Sequence, residues 1–240
     1  MKIKQYQSPN FSKKSRKTSK IQYIIIHYTG MQSKRVSIKR LANPLKKVSC
    51  HYMVDREGQT VQMVDDDKIA WHAGKSKWKN LKNLNENSIG IELVNKGHRF
   101  GYQKFSSIQI KTLIKLCLLL KKKYKIKSSC VLGHSDIAPS RKMDPGEKFP
   151  WKHLSKKGIA IWYPNIKYIK NDLNKKKIRN IFFSNLYKIG YRYFKKKISS
   201  RKDKLITKAF QRRFFQNKID GIIDQKTFII SHYLAQKVKK

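Results

Sequence analysis

Ile21-Gln22-Tyr23-Ile24-Ile25-Ile26-His27 is a short β-branched run that ends on a histidine, and Ser88-Ile89-Gly90-Ile91-Glu92-Leu93-Val94-Asn95 is a second apolar run with a carboxylate inside it. Both have strand length, and both read as buried strands. In the second, Ile89, Ile91 and Leu93 fall on one side, and Gly90, Glu92 and Val94 on the other. Around them, residues 51–64 predict a hairpin: HYMVD, a turn at Arg56-Glu57-Gly58, then QTVQMV. Leu113, Leu116, Leu120 and Tyr124 repeat at helical spacing, so Ile108–Tyr124 predicts a helix, capped by Ser106 or Ser107. SSCVLGHSD (128–136) predicts a short strand running into a loop. Strands interleaved with helices give an α/β class, a central mixed sheet flanked by helices.

The texture changes after Trp162-Tyr163-Pro164. Residues 163–177 read as a linker, and from about 178 to 240 only helical periodicity remains. Three short helices are expected there: one through Ile181, Phe182, Leu186 and Ile189, one through Leu205, Ala209, Phe210 and Phe214, and one capped by Asp224. Residues 1–20 are polar and basic, and are expected to be a disordered tail. The expected division is therefore tail 1–20, α/β domain 21–162, linker 163–177 and a small three-helix domain 178–240.

Fifty-seven Lys and Arg against 14 Asp and Glu give a net charge of +43 over 240 residues. Such a charge suits a polyanionic partner. However, lysine outnumbers arginine about four to one and is spread along the chain, which fits A/T-rich codon usage. No nucleic-acid-binding motif accompanies the charge, so no specific nucleic-acid partner is expected. No apolar run approaches the ~20 residues of a membrane span. The start of the chain shows no signal-peptide core or lipid-attachment cysteine, which by itself reads as cytoplasmic. Cys50, Cys117 and Cys130 are an odd set without CxxC spacing, which argues against a disulfide framework.

The chemistry concentrates at the strand ends. His27 closes one strand, His134 follows another, and Asp144 comes ten residues later. Two histidines and a carboxylate are a common ligand set for catalytic zinc, with a fourth position left open. Asp136, two residues after His134, competes with Asp144 for the ligand role, and His51 is a possible third imidazole. Asp136 suits loop bracing better, and His51 suits a structural place at a strand start. Glu92 lies mid-strand among apolar residues, where a carboxylate is costly without a task or a partner. His98, His153 and His232 sit in no motif.

The segments IIIHYT, SCHY, AWHAG, NSIGIEL and GHSDIAPSRKMDPG follow one another in this order. Together they resemble the zinc-dependent N-acetylmuramoyl-L-alanine amidases of the type 2 amidase family, over about residues 21–160. That family also includes phage amidase lysozymes and peptidoglycan recognition proteins. The resemblance implies His27, His134 and Asp144 as zinc ligands, and Glu92 as the catalytic glutamate. It further implies Lys142 as a lysine near the scissile carbonyl, and Trp71 and His72 as residues lining the substrate cleft. Some relatives use a tyrosine just before the SCHY histidine. Cys50 stands there in this chain, so the glutamate route is expected. ITKAFQRRFFQNKIDGIIDQKTF (206–228) resembles the small helical peptidoglycan-binding domain carried by two-domain bacterial amidases.

The expected function is zinc-dependent hydrolysis of the amide between the lactyl group of N-acetylmuramic acid and L-alanine, by a monomer acting on peptidoglycan or muropeptides. The family resemblance implies the cell envelope as the place of action. Two alternatives stand beside it: a non-catalytic peptidoglycan recognition protein on the same fold, and a basic nucleic-acid-binding protein.

Overall fold

The computed structural model describes residues 2–165, 174–194 and 201–238. Its strands are β1 (Ile3–Gln5), β2 (Phe11–Ser12), β3 (Tyr23–Tyr28), β4 (Tyr52–Val54), β5 (Thr60–Gln62), β6 (Ile69–Ala70), β7 (Lys77–Trp78), β8 (Leu81–Lys82), β9 (Ser88–Leu93) and β10 (Val131–Gly133). The helices are α1 (Lys34–Ala42), α2 (Ser107–Tyr124), α3 (His134–Ile137), α4 (Trp151–Lys156), α5 (Lys175–Ile189), α6 (Arg201–Phe214) and α7 (Gln225–Lys237).

Six strands form one mixed sheet in the order β1-β5-β4-β9-β3-β10. The β4–β5 pair is the antiparallel hairpin read from residues 51–64, and the other four pairings are parallel. Ser106 caps α2 by accepting from the Gln109 amide, as its position predicts.

The period-2 pattern sorts the two faces. Ile24 and Ile26 of β3 and Ile89, Ile91 and Leu93 of β9 pack with Leu113, Leu116 and Leu120 of α2 in one cluster. Tyr23 and Ile25 point to the opposite face. His27 shares their parity and falls on that second face, at the carboxyl end of its strand. In open α/β sheets that end is where ligand sites form.

The second face also takes the C-terminal helices. Ile25, Leu132 and Ile137 share a cluster with Phe182, Phe183 and Leu186 of α5, Phe210 and Phe214 of α6, and Leu234 of α7. Gly190, just past α5, sits against Trp78: a Cβ there would lie 2.3 Å from the indole. α5 begins at Lys175, inside the expected linker, and residues 166–173 of that linker lie outside the described residues.

The expectation of a disordered tail over residues 1–20 is corrected. Ile3, Lys4 and Gln5 add to the sheet edge opposite Thr60, Val61 and Gln62, and Phe11-Ser12 pairs with Ile69-Ala70. Arg16 is 6% exposed and donates to the carbonyls of Asp66, Asn85, Glu86 and Ser88. Backbone pairing and carbonyl capture hold this segment. Neither needs the apolar periodicity on which the composition reading relied. Among the described residues no helix is long and apolar enough to cross a membrane.

Candidate metal centre

Strand register assembles the site. His27 is paired with Glu92 across β3 and β9, and Gly133 is paired with Ile26 across β10 and β3. His134, one residue beyond Gly133, therefore arrives level with His27 and opens α3. Asp144 comes from the loop that follows. His27 Nδ1, His134 Nδ1 and Asp144 Oδ2 lie 2.9–3.0 Å from one another, and all three residues are buried. Among the described residues they form the one group of three or more such side chains able to hold a metal ion.

The outer hydrogen bonds set the tautomers. His134 Nε2 donates to the Ala73 carbonyl at 3.1 Å, which leaves its Nδ1 as a lone pair. His27 is set through a longer path. The Ser88 hydroxyl donates to the Leu84 carbonyl at 2.5 Å, so Ser88 Oγ accepts from His72 Nε2 at 3.3 Å. His72 Nδ1 then accepts from His27 Nε2 at 3.0 Å, and His27 Nδ1 is also a lone pair. Two imidazole lone pairs and a carboxylate oxygen converge with no donor among them, an arrangement that calls for a cation. The N, N, O donor set, with a cleft beside it, is of a kind that fits zinc.

The local charges agree. Burial opposes ionisation of Asp144, yet the neighbouring His134 outweighs it and holds the carboxyl well below the usual range. Burial, then the neighbouring His134, push the His27 pKa down to about 4, so that imidazole is neutral and free to ligate at pH 7. Glu92 is 8% exposed, and its Oε2 has no hydrogen-bond partner. Burial and then Asp144 push its carboxyl up to about 8, against the pull of Lys142.

A cleft of about 960 Å³ opens over these groups and is lined by His27, His72, Glu92, His134, Lys142 and Asp144 among others. Trp71 is half-buried and is not among its lining residues. Its backbone is pinned to Ser49 by two bonds. His72 is buried directly over Gly90, where a Cβ would come within 2.4 Å of the ring. Asp136 points away from the three ligand atoms, toward Tyr191 and Arg213. His51 is buried behind the site: its Nδ1 accepts from the Gly90 amide, and its Nε2 lies 2.8 Å from Arg16.

Sequence reasoning missed two residues at the cleft. His98 lines it, with Nδ1 2.8 Å from the Tyr28 hydroxyl and Nε2 3.1 Å from Glu147. Arg141, beside Lys142, donates to the carbonyls of Ala73 and Lys75. Arg141 sits inside the RKMD segment and could have been found there. His98 carries no local signal.

Comparison with known proteins points the same way. The sequence pattern of the N-acetylmuramoyl-L-alanine amidase family matches residues 17–147. The N-acetylmuramoyl-L-alanine amidase AmiD of Escherichia coli K12 is 32% identical over 91% of this chain and 83% of its own. The 1,6-anhydro-N-acetylmuramyl-L-alanine amidase AmpD of Haemophilus influenzae is 30% identical over 62% of this chain and 88% of its own. Among solved structures, AmpDh3 from Pseudomonas aeruginosa superposes with a TM-score of 0.82 at 27% identity, covering 98% of both chains. E. coli AmiD bound to anhydro-N-acetylmuramic acid-L-Ala-D-gamma-Glu-L-Lys superposes with a TM-score of 0.80 at 30% identity, covering 94% of this chain and 92% of that one. The likeness covers nearly the whole chain, and the chain belongs to the N-acetylmuramoyl-L-alanine amidase family.

Proposed function

We propose that this amidase hydrolyses the amide between the lactyl group of N-acetylmuramic acid and L-alanine of the stem peptide with His27, His134 and Asp144 as zinc ligands. The observation that carries the reading is the convergence of three lone pairs, two of them fixed by outer hydrogen bonds, in a cleft that also holds an unpartnered carboxylate. Zinc held there would polarise the amide carbonyl and lower the pKa of a nearby water toward ~7.

The chain's own groups supply the rest. Glu92 Oε2 is free to take the proton of the attacking water and to return it to the leaving amine. Burial and the neighbouring Asp144 raise its pKa in the metal-free chain, and the charge of a bound zinc would draw it back toward the carboxylate form that accepts a proton. Lys142 lines the same cleft and can stabilise negative charge as it develops on the carbonyl oxygen. His72 orients His27, and its burial favours that role over contact with substrate. The cleft wall carries Lys39, Arg40, Lys46, Arg99, Arg141 and Lys142 against only Glu92 and Asp144, which suits the carboxylates of a stem peptide.

The helical unit over 178–240 serves on this reading as a tether to the wall polymer, which raises the enzyme's concentration on an insoluble substrate. The cell envelope, where that polymer lies, is the corresponding place of action. The deciding experiment is mass analysis of products from defined muropeptides, with and without chelator, for the wild type and His134→Ala. Release of intact stem peptide by the wild type alone, abolished by chelator, is expected. Chelator-resistant release, or release by His134→Ala at the wild-type rate, would overturn the ligand assignment.

A further inference from the structure

Two consecutive arginines near the end of α6 reach the two loops that carry metal ligands. Arg213, 2% exposed, donates from Nη1 to Asp136 Oδ2 and from Nη2 to the Val131 carbonyl at 2.9 Å. Asp136 Oδ2 also accepts from the Gly133 amide at 2.8 Å, and Oδ1 accepts from the Tyr191 hydroxyl at 2.5 Å. Asp136 and Tyr191 are 1% and 0% exposed. Val131 and Gly133 belong to β10, the strand that delivers His134. Arg213 also lies over the Trp151 ring at 4.1 Å, which fixes its plane.

Arg212 Nε lies 3.8 Å from Glu147 Oε2, three residues after Asp144. Just past α6, Gln216 Nε2 donates to the Phe149 carbonyl at 2.6 Å. Both segments that must hold a ligand atom are thus met by α6 and the residue just past it, the His134 side by hydrogen bonds from Arg213 and the Asp144 side by the Arg212 ion pair and the Gln216 hydrogen bond.

A ligand loop needs such support. α3 is four residues long. A single turn has too few internal bonds to hold its own geometry. Asp136 gives the Gly133 amide at its start a partner, but a carboxylate buried this deeply is itself stable only when its charge and lone pairs are met. Arg213 and Tyr191 meet them. A helical unit that only tethers the enzyme to polymer has no need of a buried ion pair two residues from a metal ligand.

We propose that Arg213 and Tyr191, acting through Asp136, are positioning residues for His134, so that the C-terminal helical unit is part of the frame of the metal centre. The proposal rests on the reading of His134 and Asp144 as ligands. It leaves room for wall binding by the outer faces of the same helices.

The test uses the full-length chain with Arg213→Met, Arg213→Lys, Tyr191→Phe, His134→Ala and, as control, Asn185→Ala. Asn185 is buried and donates to Ser231 Oγ at 3.1 Å within the helical unit, so its loss loosens that unit without removing a tie to the ligand loops. Two quantities are read: the zinc dissociation constant by chelator competition, and hydrogen exchange of the amides of residues 131–138 in the metal-free protein. Loss of a direct hydrogen-bond partner of a ligand costs about 10–100-fold in metal affinity, and Arg213 acts one step further out, through Asp136 and the Gly133 amide. Arg213→Met is expected to weaken zinc several-fold, beyond about threefold, and to speed exchange at 131–138. Tyr191→Phe should do the same more mildly, and Arg213→Lys should recover part of the loss. Asn185→Ala should lower the melting temperature while leaving zinc affinity and local exchange unchanged.

Zinc affinity within about twofold of wild type in both Arg213→Met and Tyr191→Phe overturns the proposal, as does equal weakening by Asn185→Ala. Should Arg213→Met fail to fold, Tyr191→Phe, which removes one hydroxyl, decides with the same two readouts. Zinc retained by His134→Ala would instead sink the ligand assignment. Zinc lost by His134→Ala but held at full affinity by Arg213→Met and Tyr191→Phe sinks only the brace.

Discussion

Glu92→Gln should make the metal-free protein more stable at alkaline pH while removing most of its activity. The side chain is buried at the end of β9, its Oε2 is unpartnered, and its pKa is pushed from the ordinary 4.5 up to about 8, by burial first and Asp144 second. The folded chain therefore holds a proton that the unfolded chain gives up. Below pH 4.5 both states are protonated, and Glu92 makes stability independent of pH. Between about 4.5 and 8 the unfolded state binds fewer protons than the folded one, so stability falls as pH rises, and above 8 the loss is complete. At about 1.4 kcal/mol per pH unit, the full difference is on the order of 5 kcal/mol. Glutamine has the same shape and does not titrate. Urea unfolding of both proteins in chelator at pH 4.5, 6.5 and 8.5 isolates the effect, because every other titrating group is common to the pair. The stability of the variant relative to wild type should rise steadily across that range and be positive at pH 8.5. A difference that is flat with pH, or a variant less stable at pH 8.5, would refute the argument that the carboxylate is buried without a partner. With zinc restored, the variant should keep its metal and lose roughly 10²-fold or more in turnover, a typical general-base contribution.

Gly90→Ala would put a Cβ 2.4 Å from His72 Cγ. The ring must then move off His27, and we expect a stability loss of about 1–3 kcal/mol with zinc affinity weakened roughly tenfold, both read on one preparation by urea unfolding and chelator competition. Lys142→Met should lower turnover by roughly 10²-fold with KM changed only a few-fold, since a charge that meets the developing oxyanion acts mainly in the transition state; a change confined to KM would make Lys142 a substrate-binding residue. Dialysis against chelator should abolish hydrolysis and lower the melting temperature, and one equivalent of zinc should restore both, because the site is built only in the folded chain.

Much of the fold and the site is legible in local sequence. Strand and helix periodicity are properties of neighbouring residues, so the runs 21–27 and 88–95, the hairpin and the long helix could be read directly. So could the candidate chemistry, because an isolated glutamate in an apolar strand and histidines at strand ends are anomalies visible without coordinates. Only the parallel register of β3 with β9 puts His27 and Glu92 side by side on one face.

What tertiary structure alone decided is which groups face which. Trp71 and His72 look equally placed in the sequence. In the fold, His72 is buried against His27, and Trp71 is half-buried and is not among the residues lining the cleft. Arg16 looks like one more cation in a polar tail, yet it is buried because carbonyls from a loop some 70 residues away converge on it. Asp136 is held by Tyr191 and Arg213, 55 and 77 residues further on. The physical reason is common to all three. Periodicity and propensity act between near neighbours along the chain, whereas the partner of a buried charge is set by whichever donor or acceptor the packed chain brings within about 3 Å, and no local pattern records that meeting.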